Sequence, residues 1–176
     1  MSCNVITQGR TLPCKDGIGG IKNVYFANYG AVSVSEQSND SILATEFNSD
    51  VFYKYDINNG ASSLTQNIQS NKQNGTTAFE QVLELTLPKL SAADNLEVKL
   101  LAFGRPHIVV EDYNGNFWLV GKENGADVTG GTIVTGAAMG DLAGYTLTFT
   151  AMERKPANFI ADGASGETFL TEASIS

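Results

Sequence analysis

Histidine occurs once in this chain, cysteine twice, proline four times, and lysine or arginine eleven times among 176 residues. Each shortage excludes something. A single imidazole and two thiols leave few of the side chains that enzymes use for proton transfer, nucleophilic attack or metal binding, so a structural or binding protein is expected, with no cofactor and no metal. The eleven basic residues face nineteen acidic ones, for a formal charge of -8, which disfavours general attraction to phosphate backbones. No stretch approaches the roughly 20 consecutive apolar residues of a membrane helix. Met1-Ser2-Cys3-Asn4-Val5 carry no basic segment and lead into no apolar run, so secretion through a cleaved signal is not expected. Cys3 and Cys14 are accordingly read as reduced thiols of a soluble chain.

What is present reads as one β-rich domain between two arms. Apolar residues make up 42 % of the chain, enough for a core that needs neither disulfide nor metal. Residues 1–20, with Gly9, Pro13, Gly17, Gly19 and Gly20, predict an irregular N-terminal arm. Residues 21–156 form the domain, and residues 157–176, acidic and without a basic residue, predict a second arm with a short strand at 168–171. Residues 21–34 are rich in β-branched and aromatic side chains and predict two strands or one bent strand around Gly30. Short strands are expected at 42–47 and 51–57, joined by Asn48-Ser49-Asp50, with Asn58-Asn59-Gly60 making the next turn.

Residues 61–87 divide into two alternating runs around Asn71-Lys72-Gln73-Asn74-Gly75 and predict a long hairpin. In its first arm Leu64, Gln66 and Ile68 share one face, and Thr65, Asn67 and Gln69 the other. In its second arm Phe79, Leu83 and Leu85 oppose Glu80, Val82, Glu84 and Thr86. Leu64, Ile68, Phe79, Leu83 and Leu85 are therefore expected in the core. The opposite face is polar. Ser91-Ala92-Ala93-Asp94 starts a helix in the manner of a capping box and Gly104 stops it. Ala93, Leu96, Leu100 and Phe103 lie at helical spacing, and this stripe is expected to pack on a sheet. A second hairpin turns at Tyr113-Asn114-Gly115-Asn116. Two further strands follow at 129–134 and 145–150, the latter with Tyr145, Leu147 and Phe149 inward and three threonines outward.

The candidate chemical motifs each have a simpler structural explanation. Gly163-Ala164-Ser165-Gly166 lacks the spacing of a nucleophile elbow, and its only possible base, His107, reads as a strand residue. Gly131 to Gly136 has phosphate-loop spacing, but Ala137-Ala138 stand where lysine and a hydroxyl are required. Asp112 to Glu123 matches the length of a calcium loop, yet Phe117 occupies its glycine position. Glu111 and Asp112, adjacent on a strand, point to opposite faces and cannot cooperate as glycosidase carboxylates. Trp118, Phe117 and Tyr113 suggest a sugar platform or, more simply, packing.

The stretch 105–158 resembles the bacteriophage tail tube proteins. It contains Ile108-Val109-Val110-Glu111-Asp112, Asn114-Gly115-Asn116-Phe117-Trp118-Leu119-Val120-Gly121, Gly125-Ala126-Asp127-Val128-Thr129-Gly130-Gly131 and the strand Gly144-Tyr145-Thr146-Leu147-Thr148-Phe149-Thr150. The preceding hairpin and helix extend the likeness to most of residues 61–158. The resemblance implies a mainly β fold, a sandwich or small barrel with a long hairpin and one flanking helix. It further implies a virion structural protein, assembled in the bacterial cytoplasm, whose copies join through their hairpins into rings, usually hexameric, that stack as a tube. Its partners would be itself, other tail proteins and DNA in transit, with no membrane. A conduit must guide DNA without holding it, since each cation on a phosphate strengthens adhesion. The polar hairpin face of Thr65, Asn67, Gln69, Glu80, Glu84 and Thr86 is therefore the expected channel lining. Contacts between rings are expected from residues 39–50 or from the arms. Related single-ring parts (a tail terminator, neck adaptor or baseplate tube initiator) and a carbohydrate-binding sandwich are the alternative expectations.

Overall fold

The computed structural model describes residues 9–37, 39–47, 51–57, 61–162 and 168–176. The expected turns Asn48-Ser49-Asp50 and Asn58-Asn59-Gly60, the Gly163-Ala164-Ser165-Gly166 segment and Cys3 lie outside these residues. The fold is a mainly β sandwich with one principal helix, as expected. Among the described residues eleven strands form two sheets: β1 (Ile21–Ala27), β2 (Ile42–Leu43), β3 (Val51–Asp56), β4 (Ser63–Asn71), β5 (Thr76–Pro88), β6 (His107–Asp112), β7 (Phe117–Val120), β8 (Asp127–Val134), β9 (Gly144–Glu153), β10 (Asn158–Ala161) and β11 (Ser174–Ile175). The helices are α1 (Ala92–Phe103) and the short α2 (Phe169–Glu172).

The larger sheet has the order β11-β3-β1-β6-β7-β10-β2, and the smaller the order β4-β5-β9-β8. Between them Val24, Phe26, Ile108, Val110 and Val120 of the first meet Leu83, Leu85, Tyr145, Leu147 and Phe149 of the second. The larger sheet is also covered on its far face. There Tyr25, Phe52, Val109, Phe117 and Leu119 pack against Phe47 and Phe169. Burial on both faces explains why β1 and β6 read as nearly continuous apolar runs without alternation. The smaller sheet is covered on one face only, and β9 and parts of β4 and β5 alternate.

Most elements fall where the sequence expects them, with three corrections. The 42–47 strand is only β2 followed by a 3-10 turn at Ala44–Phe47. Residues 21–34 give one strand, since the chain turns after Ala27. The C-terminal segment is no arm: β10 pairs with β7 and β2, β11 pairs with β3, and Phe169, read as part of a strand, starts a helical turn and is 1 % exposed. That single aromatic meets Tyr25, Phe47, Phe52 and Phe117 at ring-centroid distances of 5.0 to 5.5 Å, and it ties the segment into the second core.

Helix α1 starts as its sequence dictates. Ser91 is the N-cap and its Oγ accepts the Asp94 amide hydrogen at 3.0 Å. Its orientation differs from expectation. Val98 is the buried residue and Leu101 packs beside it, whereas Leu96, Leu100 and Phe103 are 54 %, 56 % and 83 % exposed. The helix touches the body through the neighbouring face, and the apolar stripe points to solvent.

Candidate assembly surface

The outward face of the smaller sheet gathers the residues read as a channel lining. The register sets Asn67 opposite Glu80, Ser63 opposite Glu84, and Thr65 opposite Val82. Because side chains alternate along a strand, Thr65, Asn67, Gln69, Glu80, Glu84 and Thr86 share one face. The Asn67 and Gln69 amides donate to Glu80 Oε2 at 3.3 and 3.2 Å, and Thr86 Oγ1 donates to the Ala61 carbonyl. The β5–β9 register then brings Thr146, Thr148 and Thr150 beside Thr86, Glu84 and Val82. Cross-strand hydroxyl pairs Thr132–Thr146 and Thr129–Thr150 continue the face across β8. None of the four strands contains a lysine or arginine.

The opposite side of the hairpin buries its residues unevenly. Leu83 and Leu85 are fully buried and Leu64 and Phe79 are half-buried, but Ile68 is 69 % exposed. Ile68 pairs with Phe79, the last β5 position that β9 still reaches, so it sits where the hairpin projects past the core. The core assignment of Ile68 is thus corrected. Neither β4 nor β8 has a second strand partner among the described residues, so both edges of this sheet are open.

The side chains of the candidate chemical motifs hold structural hydrogen bonds. His107 is 2 % exposed; its Nδ1 donates to the Gly121 carbonyl at 2.7 Å and its Nε2 accepts the Gly30 amide hydrogen at 3.1 Å, which fixes the neutral tautomer. Gly121 itself holds φ +67, and a Cβ there would stand 2.6 Å from the Gly125 carbonyl carbon. Asp112 spends its carboxylate on its own turn, accepting from the amides of Asn114 and Asn116 at 2.8 Å and from the Asn116 side chain at 2.9 Å. The amides of Ala137 and Ala138, at the end of the phosphate-loop-like run, both donate to Asp141, whose pKa they lower. Among the described residues no group of three or more His, Cys, Asp or Glu could hold a metal, and no helix is long and apolar enough to cross a membrane. Phe117 is buried, and Trp118 lies against Phe159 with ring centroids 3.6 Å apart.

Two charged networks escaped the sequence. Glu111, 2 % exposed, accepts hydrogen bonds from Lys22 Nζ and Asn23 Nδ2 at 2.6 Å and from Tyr25 Oη at 2.8 Å. Burial alone would raise its pKa, but the three donors outweigh burial and leave it lowered. Glu36 bridges Lys122 and Lys155 at 2.8 and 2.6 Å, and these two lysines bring its pKa down to about 2. Lys155 also reaches Asp40 at 2.7 Å, so the loop before β2 is tied to the chain after β7 and after β9. The sole hint of the first network was a carboxylate ending an apolar run, Ile108-Val109-Val110-Glu111.

Neither a family model nor a curated protein matches this chain.

Proposed function

We propose that this chain is a ring-forming virion protein whose rings stack as a phage tail tube and conduct DNA. The observation that carries the reading is the smaller sheet, strictly antiparallel, four strands wide and open at both edges. In such a sheet the edge strands β4 and β8 run in opposite directions. A copy rotated about an axis along the strands therefore offers its β4 antiparallel to the β8 of its neighbour. Pairing then continues round a ring without a break in the alternation, and closure removes both edges.

The face that would line the bore suits transit. It carries Thr65, Asn67, Gln69, Thr86, Thr146 and Thr148 with the carboxylates of Glu80 and Glu84, so phosphates meet hydroxyls, amides and like charge and no cation. Nothing in this mechanism calls for catalysis or a cofactor; its partners are further copies, other tail proteins and passing DNA. A single-ring tail part would use the same edges. Negative-stain microscopy of the concentrated protein separates the readings: stacked-ring tubes are expected, isolated rings favour a terminator, adaptor or initiator, and dispersed subunits at every concentration overturn both. The carbohydrate-binding alternative has less support, because Phe117 is buried and Phe159 covers a face of Trp118.

A further inference from the structure

An Asn-Gly pair is reactive as well as turn-forming. Because glycine has no side chain, its backbone nitrogen can approach the carboxamide of the preceding asparagine closely. A bond then forms from that nitrogen to Cγ, the Cγ–Nδ2 bond breaks and ammonia leaves; water opens the resulting succinimide at either carbonyl, giving aspartate or isoaspartate. The chain has four such pairs, Asn59-Gly60, Asn74-Gly75, Asn114-Gly115 and Asn124-Gly125, of which the first lies outside the described residues. The other three share their sequence, but the fold treats them differently.

Ring closure requires the carboxamide to swing over the following nitrogen, so whatever holds the carboxamide holds the reaction back. Asn114 is held at both atoms: its Nδ2 donates to the Ile18 carbonyl at 2.6 Å and its Oδ1 accepts the Ile18 amide hydrogen at 2.9 Å. The nitrogen that would attack is engaged too, since Gly115 N donates to the Asp112 carbonyl at 3.2 Å. Asn124 is pinned by its Nδ2, which donates to the Met152 carbonyl at 2.8 Å, and by its main-chain N, which donates to the buried Glu153 at 2.9 Å. Gly125 N donates to the Gly121 carbonyl at 3.1 Å, and a Cβ on Gly125 would stand 2.6 Å from the Arg105 carbonyl oxygen. Asn74 has none of these ties. It stands at the tip of the β4–β5 hairpin, where residues 67–77 are all exposed. Asn71 orders the turn by accepting the main-chain amide hydrogens of Gln73 and Asn74 at 2.9 and 3.2 Å, whereas the Asn74 carboxamide bonds to no described residue. A Cβ on Gly75 would meet nothing within 4 Å.

We infer that Asn74 is a site of spontaneous modification, converting in water to aspartate and isoaspartate while Asn114 and Asn124 keep their amides in the folded chain. The consequence is a change of charge at one end of the hairpin. Lys72 is the only charged residue from 63 to 79, so a carboxylate at position 74 turns a cationic tip into a neutral one. The isoaspartate product also adds a methylene to the main chain within the turn that sets the register of β4 on β5. The site follows from the turn alone and does not depend on the ring reading.

The test follows the full chain, kept folded at mildly alkaline pH, by trypsin digestion and mass spectrometry over time. Cleavage after Lys72 and Lys89 releases a peptide, 73–89, in which Asn74 is the only asparagine. Amide-to-acid conversion in this peptide is expected to run at least about tenfold faster than at Asn114 or Asn124, each of which must first break its hydrogen bonds. Conversion at either of those two as fast as at Asn74 overturns the proposal. Asn74→Gln, which lengthens the ring to be closed, is expected to abolish conversion in the peptide; an unchanged rate in this variant would trace the acid to a glutamine and equally overturn the assignment. Unfolding the chain in urea should bring Asn114 and Asn124 up to the rate of Asn74, with Asn74 itself little changed. A rise at Asn74 as large as that at Asn114 would show that the folded turn protects it, and the inference would fail.

Discussion

Glu111 shows how much one carboxylate can organise. It ends an apolar strand and is buried, and it serves as the acceptor for Asn23, Tyr25 and Lys22. Replacing it with alanine leaves a buried hydroxyl and a buried amide without that acceptor, a cost of about 3 kcal/mol. Glu111→Ala is thus expected to lower the unfolding midpoint strongly, and Glu111→Gln, which keeps one acceptor oxygen, less so. The pH dependence has a definite sign. Glu111 and Glu36 have folded-state pKa values below the ordinary 4.5, so the unfolded chain binds more protons between the two values and stability falls as pH drops through that window toward about 2. Glu153 works in the other direction. Burial raises its pKa against the backbone hydrogen bonds from Asn124 and Glu123, so protonation favours its folded form and offsets part of the acid loss. Thermal melts at pH 7, 4.5 and 2.5 should show a falling midpoint, with a shallower decline in Glu36→Gln and a steeper one in Glu153→Gln. A midpoint that rises on acidification would refute this assignment of charges.

The elements were legible where one face meets water. β4, β5 and β9 alternate because the smaller sheet is covered on one side, and the hairpin, its turn and its facing all follow from period two. α1 was legible in extent from Ser91 and Gly104, but its facing was not. Leu96, Leu100 and Phe103 form the more conspicuous stripe, yet Val98 and Leu101 make the contact, so hydrophobic spacing alone did not tell which face of the helix packs. The C-terminal segment misled for a different reason. Its composition is that of an arm, and its place depends on one aromatic, Phe169, that packs against Phe117 and against Tyr25, Phe47 and Phe52, the last three more than a hundred positions away. Phe169→Ala should therefore cost about 3–5 kcal/mol in denaturant unfolding. Phe103→Ser, on the exposed stripe of α1, should leave the dispersed subunit's stability within about 0.5 kcal/mol of the original. Equal effects of the two substitutions would contradict the division between core and exposed stripe.

In the proposed ring the width of the four-stranded sheet sets what the copies can enclose. Six copies, the number the family resemblance implies, would supply about 24 strands, and at about 4.8 Å spacing and about 40° tilt they close a backbone circle roughly 48 Å across. Side chains narrow that to a bore of about 35–40 Å, wide enough for a duplex. Whether the Glu80 and Glu84 face looks into this bore or away from it is a binary question, because alternation allows two choices only. Glu80→Lys with Glu84→Lys answers it. Cations on the inner wall should hold linear duplex DNA that unaltered tubes release, with an affinity that falls steeply with salt, by about 0.9 log units per log unit of salt for each phosphate contacted. Binding alone is insufficient, since lysines on an outer wall would also attract DNA. The deciding measurement is nuclease protection: DNA held within the variant tube survives digestion, whereas DNA gathered on the outside is degraded, and degradation would turn the sheet around.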